Sequence, residues 1–276
     1  MGEGNWISKP MTEQYQKEQE WRRAVRRLAQ LPFRSFGLDV SRRSDPLDDW
    51  PYADLTSADK ACIRFARPYT MTSLAALAAL INAVKYVASA KIEGELVECG
   101  VWRGGSMAAA ARTLAGINCT DRQIYLFDTF SGMPEPGEKD VNFQGEAASE
   151  LYRREQGDGD QSAWCHADEA EVMSVMSASG YDQTKIQLVK GRVEATIPER
   201  APEKISLLRL DTDFYESTRH ELQHLFPRLA RGGIIIIDDY GHWQGAQQAT
   251  DEYFTENQIK MFLQRVDYSV RMGVKI

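Results

Sequence analysis

The chain has 276 residues, 43% hydrophobic and 26% charged, with a net charge of −7. That is the composition of a globular protein long enough to bury a substantial core. It offers no basic field to neutralise phosphates, so neither a nucleic-acid nor an anionic-membrane partner is expected. Four cysteines, Cys62, Cys99, Cys119 and Cys165, are scattered without a CxxC pair, which argues against a zinc cluster.

The first residues, MGEGNWISKP, hold no basic segment followed by an apolar run, so a cytoplasmic location with reduced thiols is expected. Residues 12–30 have helical character, with Tyr15, Trp21, Val25 and Leu28 on one broad face and Arg22, Arg23, Arg26 and Arg27 close by. The spacing predicts a solvated helix whose apolar stripe docks on the domain or on a second subunit. Residues 31–52 are irregular, broken by Pro32, Pro46 and Pro51. A short helix opens at Thr56 and runs to about Ala66, and Pro68 ends it. After the connector Arg67-Pro68-Tyr69-Thr70-Met71, Thr72 or Ser73 caps an Ala/Leu helix that reaches about Ala90. That helix contains Asn82 and Lys85 and is too short to span a bilayer.

Residues 95–100 read as the first strand and its exit, leading through Val101-Trp102-Arg103-Gly104-Gly105-Ser106 into a small-residue helix over 107–115. A strand, a glycine-bearing turn and a helix make a cradle for a nucleotide-like ligand. Gly100, Gly104 and Gly105 do not match G-x-G-x-x-G. Glu98, just before the turn, disfavours a pyrophosphate and suits a cationic ligand. A second strand over 124–127 ends at Asp128, where an acid can accept both hydroxyls of a ribose. Thr129-Phe130-Ser131-Gly132-Met133-Pro134 then leads into a polar, Gly- and acid-rich stretch, about 137–166, read as a lid-like substrate loop with a short helix near Leu151 and Tyr152. A helix over 167–179 and a third strand over 186–190 follow. The strand exits through Gly191-Arg192-Val193 into a short helix over 194–198.

Residues 206–240 carry the strongest signal. The run 207–210 stops at Asp211-Thr212-Asp213, and the β-branched run 233–237 stops at Asp238-Asp239. Between them Leu222, Leu225, Phe226 and Leu229 recur at helical spacing. This is a βαβ unit, right-handed and parallel, so both strands end side by side on the edge where α/β sheets bind ligands. Asp213 or Ser217 would serve to cap the helix. Four converging carboxylates are costly unless a cation is present or some are protonated, and they point to a metal or catalytic role. A helix then begins near Gly245. Residues 261–266 and 269–275 read as a terminal hairpin turning at Asp267-Tyr268.

Four motifs in this order, Leu96 to Gly105, Asp128 to Pro134, Leu210 to Thr218 and Gly232 to Tyr240, resemble the macrocin and mycinamicin sugar O-methyltransferases, a family that includes the noviose O-methyltransferase of aminocoumarin biosynthesis. The similarity runs from about Arg67 to the C-terminus. It fits the element pattern, an α/β Rossmann-like class I methyltransferase with a seven-stranded, mostly parallel sheet, order 3-2-1-4-5-7-6, the last strand antiparallel and helices on both faces. The implied organisation is an N-terminal helical extension, 1–66, and a methyltransferase domain, 67–276. The resemblance implies S-adenosylmethionine as donor, a magnesium ion, a sugar hydroxyl of a small-molecule glycoside as acceptor, and a homo-oligomer, a dimer. Asp211, Asp238 and Asp239 match the metal carboxylates, and Asp213 matches the general base. Tyr69, Thr70, Met71, Glu98, Gly100 and Asp128 match cofactor positions, and Ser106, Thr129, Gly191, Arg192 and Asp211 are assigned to the cofactor with them. Thr212 stands where many relatives have Gly. His166 and His242 are further candidate bases. Tyr240, His242 and Trp243 are candidate walls of the acceptor pocket, and Trp102 and Arg103 support the cofactor turn. A metal-dependent methyltransferase of a catechol-like phenol, an NAD-dependent sugar oxidoreductase and a non-catalytic scaffold are the competing readings.

Overall fold

The computed structural model describes residues 45–155 and 164–276. The helix expected over 12–30, its arginines and most of the irregular stretch 31–52 lie outside the described residues. The chain divides into two units, Met1–Ala53 and Asp54–Ile276. In the first, the described residues form two short 3-10 turns, Pro46–Asp48 and Trp50–Tyr52.

The second unit is built on seven strands: β1 (Glu95–Cys99), β2 (Ile124–Asp128), β3 (Ile186–Lys190), β4 (Ile205–Leu210), β5 (Leu229–Ile237), β6 (Gln264–Arg265) and β7 (Arg271–Val274). They lie in the order β3-β2-β1-β4-β5-β7-β6. The first five are parallel, β6 and β7 form the expected antiparallel hairpin, and β7 lies antiparallel beside β5, as the resemblance implies. The helices are α1 (Ser57–Ala66), α2 (Leu74–Ser89), α3 (Gly105–Gly116), α4 (Ala148–Arg154), α5 (Glu169–Ala178), α6 (Val193–Thr196), α7 (Tyr215–Leu225) and α8 (Gln244–Glu256).

Strand residues alternate between two cores. Leu96, Leu207, Ile234 and Ile236 pack with Leu80 of α2, Leu114 of α3 and Met176 of α5. Val97, Leu208, Ile235 and Ile237 pack with Leu222 of α7 and Tyr253 of α8. Both sheet faces are therefore covered, which is why these strands read as continuous apolar runs rather than alternating ones. Local signals start the first helices. Thr56 and Asp59 form a capping box at α1, and Ser73 accepts the Ala76 N–H at α2.

Three local expectations change. The helical run drawn to Leu229 stops at Leu225, because Pro227 sits in a 3-10 turn (Phe226–Arg228) and Leu229 begins β5. The terminal strands are shorter than the expected 261–266 and 269–275, and β6 has two residues. Neither Asp213 nor Ser217 caps α7. Asp140 does so from the long connection, its Oδ1 accepting the Tyr215 N–H at 2.8 Å, while Ser217 Oγ donates to the Thr212 and Phe214 carbonyls. Asp140 Oδ2 also accepts the Gly137 N–H at 2.7 Å. Gln244 N–H donates to Val141 O and Phe143 N–H to His242 O, each at 2.9 Å. The connection before α4 is thus pinned to the starts of α7 and α8.

Candidate active site

A cavity of about 380 Å³ opens at the carboxyl ends of β1, β2, β4 and β5. One half lies over the β1 and β2 exits. Gly100, Val101 and Trp102 line it, with Asp128, Thr129, Ser106, Thr70 and Met71. Gly100 has φ of +80°, and a Cβ there would fall 2.0 Å from the Asp211 carbonyl, so the ends of β1 and β4 approach too closely for any side chain. Asp128 organises the turn. Its Oδ2 accepts the Val101 and Trp102 N–H groups at 2.6 and 3.1 Å, and its Oδ1 accepts the Phe130 N–H at 2.8 Å. Gly191, Arg192 and Glu194 close this half from β3.

The other half holds the acids. Alternation along β4 places Arg209 and Asp211 on one face, and along β5 it places Ile236 and Asp238 on the same face. Glu98 of β1 is the register partner of Arg209. Arg209 is 2% exposed and binds all three carboxylates. Its Nη1 donates to Glu98 Oε1 at 2.7 Å and Asp211 Oδ2 at 2.5 Å. Its Nη2 donates to Asp238 Oδ1 at 2.6 Å and Thr72 Oγ1 at 2.9 Å. The cation that the crowded acids require is thus partly supplied by the chain. Sequence reasoning passed over Arg209, although a lone arginine inside Leu207-Leu208-Arg209-Leu210, level with Glu98 on the neighbouring strand, was the available signal.

Oxygens of Asp211, Asp213 and Asp239 all lie within 4.8 Å of one another. Burial pushes Asp211 and Asp239 well above the ordinary carboxylate range, with neighbouring acids adding to it. Burial also raises Asp213 to about 7, against hydrogen bonds from Asp239 and the Trp243 side chain that favour its anion. Asp213 has a left-handed backbone, φ 67°. Asp239 Oδ2 is buried with no hydrogen-bond partner. Three close hard-oxygen donors, one with an orphaned buried lone pair, are a donor set that fits a small divalent cation. Arg209 takes one oxygen each from Asp211 and Asp238 and leaves the other.

The structure gathers most of the expected residues and separates a few. Thr70, Met71, Gly100, Ser106, Asp128, Thr129, Gly191, Arg192, Asp211, Asp213, Asp238 and Asp239 all line the cavity. Tyr69 and Glu98 do not. Tyr69 packs under the Arg103 guanidinium, 5.3 Å from ring centre, and Glu98 is fully buried against Arg209 with Oε2 unpaired. Arg103 also binds Glu171 at 2.5 Å, which suits its supporting place beside the turn. Of the histidines, His242 lines the cavity and burial holds its pKa below the usual value, whereas His166 is exposed and outside it. Trp243 lines the cavity, while Tyr240 turns away to donate to Asp251 at 2.8 Å. Trp164, Phe214 and Trp243 form an aromatic cluster not foreseen as a unit, with ring centres 5.9–6.2 Å apart.

Known proteins of similar sequence and fold point to one family. Residues 11–272 match the family described as Macrocin-O-methyltransferase (TylF), a match that begins well upstream of Arg67, where the motifs alone place its start. The demethyldecarbamoylnovobiocin O-methyltransferase of Streptomyces niveus is 30% identical over 188 residues, 68% of each chain. The 8-demethyl-8-(2,3-dimethoxy-alpha-L-rhamnosyl)-tetracenomycin-C 4'-O-methyltransferase of Streptomyces olivaceus is 31% identical over 201 residues, 72% of this chain and 74% of its own. Among solved structures, the O-methyltransferase NovP superposes with a TM-score of 0.67 at 28% identity, covering 75% of this chain and 82% of that one. With its class I sheet order and the cavity at the strand ends, the chain belongs to the macrocin O-methyltransferase family.

Proposed function

We propose that this enzyme uses S-adenosylmethionine and magnesium to methylate a sugar hydroxyl of a glycosylated small molecule. The observation that carries the reading is the placement of an acidic, cation-fitting cluster and the β1–β2 cofactor cleft in one cavity. The rhamnosyl group in the named substrate of the tetracenomycin relative supports a sugar acceptor.

S-adenosylmethionine supplies a methyl group on a sulfonium, and magnesium supplies positive charge beside the hydroxyl that becomes the nucleophile. The cofactor would lie along Gly100, Asp128 and Thr129, with Ser106, Thr70 and Met71 beside it and Gly191 and Arg192 beyond. Asp211 and Asp238 would hold the ion through the oxygens that Arg209 leaves free, together with Asp239, whose oxygens cluster with those of Asp211 and Asp213. Asp213 receives the hydroxyl proton on its carboxylate, held in place by the Trp243 hydrogen bond. The aromatic cluster of Trp164, Phe214 and Trp243 keeps bulk water from the acids. Fixing the acceptor oxygen in line with the methyl carbon is the chain's largest contribution, up to ~7–11 kcal/mol in ideal cases.

The test is methyl transfer from S-adenosylmethionine to a panel of glycosides and catechols, read by product mass. Turnover of glycosides, loss with a chelator and recovery with magnesium are expected. Methylation of catechols alone would replace the sugar by a phenol.

A further inference from the structure

The acids account for the reacting hydroxyl and leave unexplained a group of rings at the mouth of the cavity. His242 and Trp243 follow Asp239 and donate their N–H groups to its carbonyl at 3.0 and 2.9 Å. His242, Trp243 and Tyr268 line the cavity. His242 stands edge-on to Trp243 at 4.9 Å and 6.0 Å from Tyr268. Phe143 continues the set outward, 5.4 Å from His242 and 5.8 Å from Tyr268. Phe143 is 56% exposed and Tyr268 54%. Single exposed apolar residues are ordinary, but rings in mutual contact that lead out of a pocket form a patch.

The patch is preorganised. Phe143 N–H donates to His242 O at 2.9 Å, and Asn142 pairs with Trp243 in an isolated antiparallel bridge. Asn142 Oδ1 accepts the Gln144 and Glu146 N–H groups, each at 2.9 Å. A ligand stacking there would order little that is not already ordered. Charge narrows the ligand further. Seven carboxylates line the cavity, and among the described residues Arg192 is its only Lys or Arg, already bound to Glu194 at 3.2 Å. Apart from the magnesium proposed above, a diphosphate would meet a negative field in which the one lining side-chain cation is already paired.

Resting on the sugar-acceptor reading above, we infer that Phe143, His242 and Tyr268 form a second subsite for a flat, uncharged group attached to the acceptor sugar. The preferred acceptor is then a finished aryl-type glycoside, not a free sugar or a nucleoside diphosphate sugar. Phe143 and Tyr268 set specificity and take no part in the transfer.

The experiment uses the full chain with S-adenosylmethionine and magnesium. One sugar is offered as its 4-methylumbelliferyl glycoside, its methyl glycoside and its nucleoside diphosphate ester. Stacking of this kind is expected to favour the umbelliferyl glycoside over the methyl glycoside by about five- to tenfold in kcat/KM, with the diphosphate sugar poorest. Phe143→Ala should collapse that ratio towards one through KM, and Phe143→Trp should keep it. A ratio near one in the parent chain, a ratio unmoved by Phe143→Ala, or preference for the diphosphate sugar overturns the inference. Equilibrium titration of the same glycosides with S-adenosylhomocysteine present separates this from the reaction itself. Aryl-selective binding that Phe143→Ala weakens, without turnover of any sugar, upholds the subsite and removes the sugar-acceptor reading. Equal binding of aryl and methyl glycosides removes the subsite whatever the turnover.

Discussion

Arg209 accounts for how Glu98, Asp211 and Asp238 stand together inside the protein. Its two terminal nitrogens reach all three and Thr72; Arg209 and Glu98 are buried, while Asp211 and Asp238 also face the cavity. Removing one partner from such a network is costly, because the other charges stay buried without compensation. Arg209→Leu should therefore cost about 3–5 kcal/mol in denaturant unfolding and weaken magnesium binding in calorimetry. An unchanged midpoint would show that the acids are neutralised by other means. Asp213 belongs to a different group of contacts, with Asp239 and Trp243, and its role is read through turnover. Asp213→Asn should lower kcat by ~10²–10⁴-fold while S-adenosylhomocysteine affinity stays the same. Retained turnover would pass the base role to His242. Part of this site was legible in the chain. Paired acids after two apolar runs are a local pattern, visible without coordinates. The division of oxygens between Arg209 and the cavity is not, since it depends on which residues of β1, β4 and β5 fall level across the sheet.

At the scale of elements, the strands and the terminal hairpin followed from the sequence pattern, while the strand order and the antiparallel place of β7 beside β5 followed from the resemblance to class I methyltransferases. Helix boundaries and caps were less legible. The cap of α7 comes from Asp140, whose partner Tyr215 is 75 positions away, and no local signal marks it. Asp140 is 1% exposed, so the contact is protected from water. Asp140→Ala should cost roughly 0.5–2 kcal/mol, the range of a lost helix cap. Amide exchange should quicken at Gly137 and Tyr215 and stay slow in β1 and β4. Equal acceleration everywhere would mean that the substitution acts on global stability. Within the stretch read as a lid-like loop, the Asp140 side chain reaches the start of α7 and Val141 O accepts the first N–H of α8.

Across the whole molecule, the buried acids make stability depend on pH and on a cation together. Burial raises Glu98 to about 7 and Asp213 to about 7, and lifts Asp211, Asp239 and Glu221 in the same direction. In the unfolded chain these groups titrate near ~4. Between the two ranges the folded state binds more protons than the unfolded state, so folding weakens as pH rises through that window. His224 and His242, both lowered by burial, act the opposite way but are fewer. In chelator, the melting temperature should fall as pH is raised from about 5 to about 8. Magnesium should restore it most at the upper end, where the acids are ionised. A melting temperature that rises over this range, or is indifferent to magnesium, would remove the coupling.

The terminal hairpin has a consequence for redesign. Ser73 Oγ donates to Asp267 Oδ2 at 2.5 Å, Ser269 Oγ to Asp238 O at 2.6 Å, and Gly241 N–H to Ser269 O at 2.8 Å. The turn of the terminal hairpin thus brings Tyr268 to the rim, while the clustered carboxylates follow β4 and β5. Of the three rings inferred to meet the acceptor, Tyr268 is carried by a stretch of its own, apart from the clustered acids. A graft of the turn around residues 266–270, with Ser269 and the Gly241 contact kept, offers a way to exchange acceptor range between relatives while the transfer machinery stays as it is.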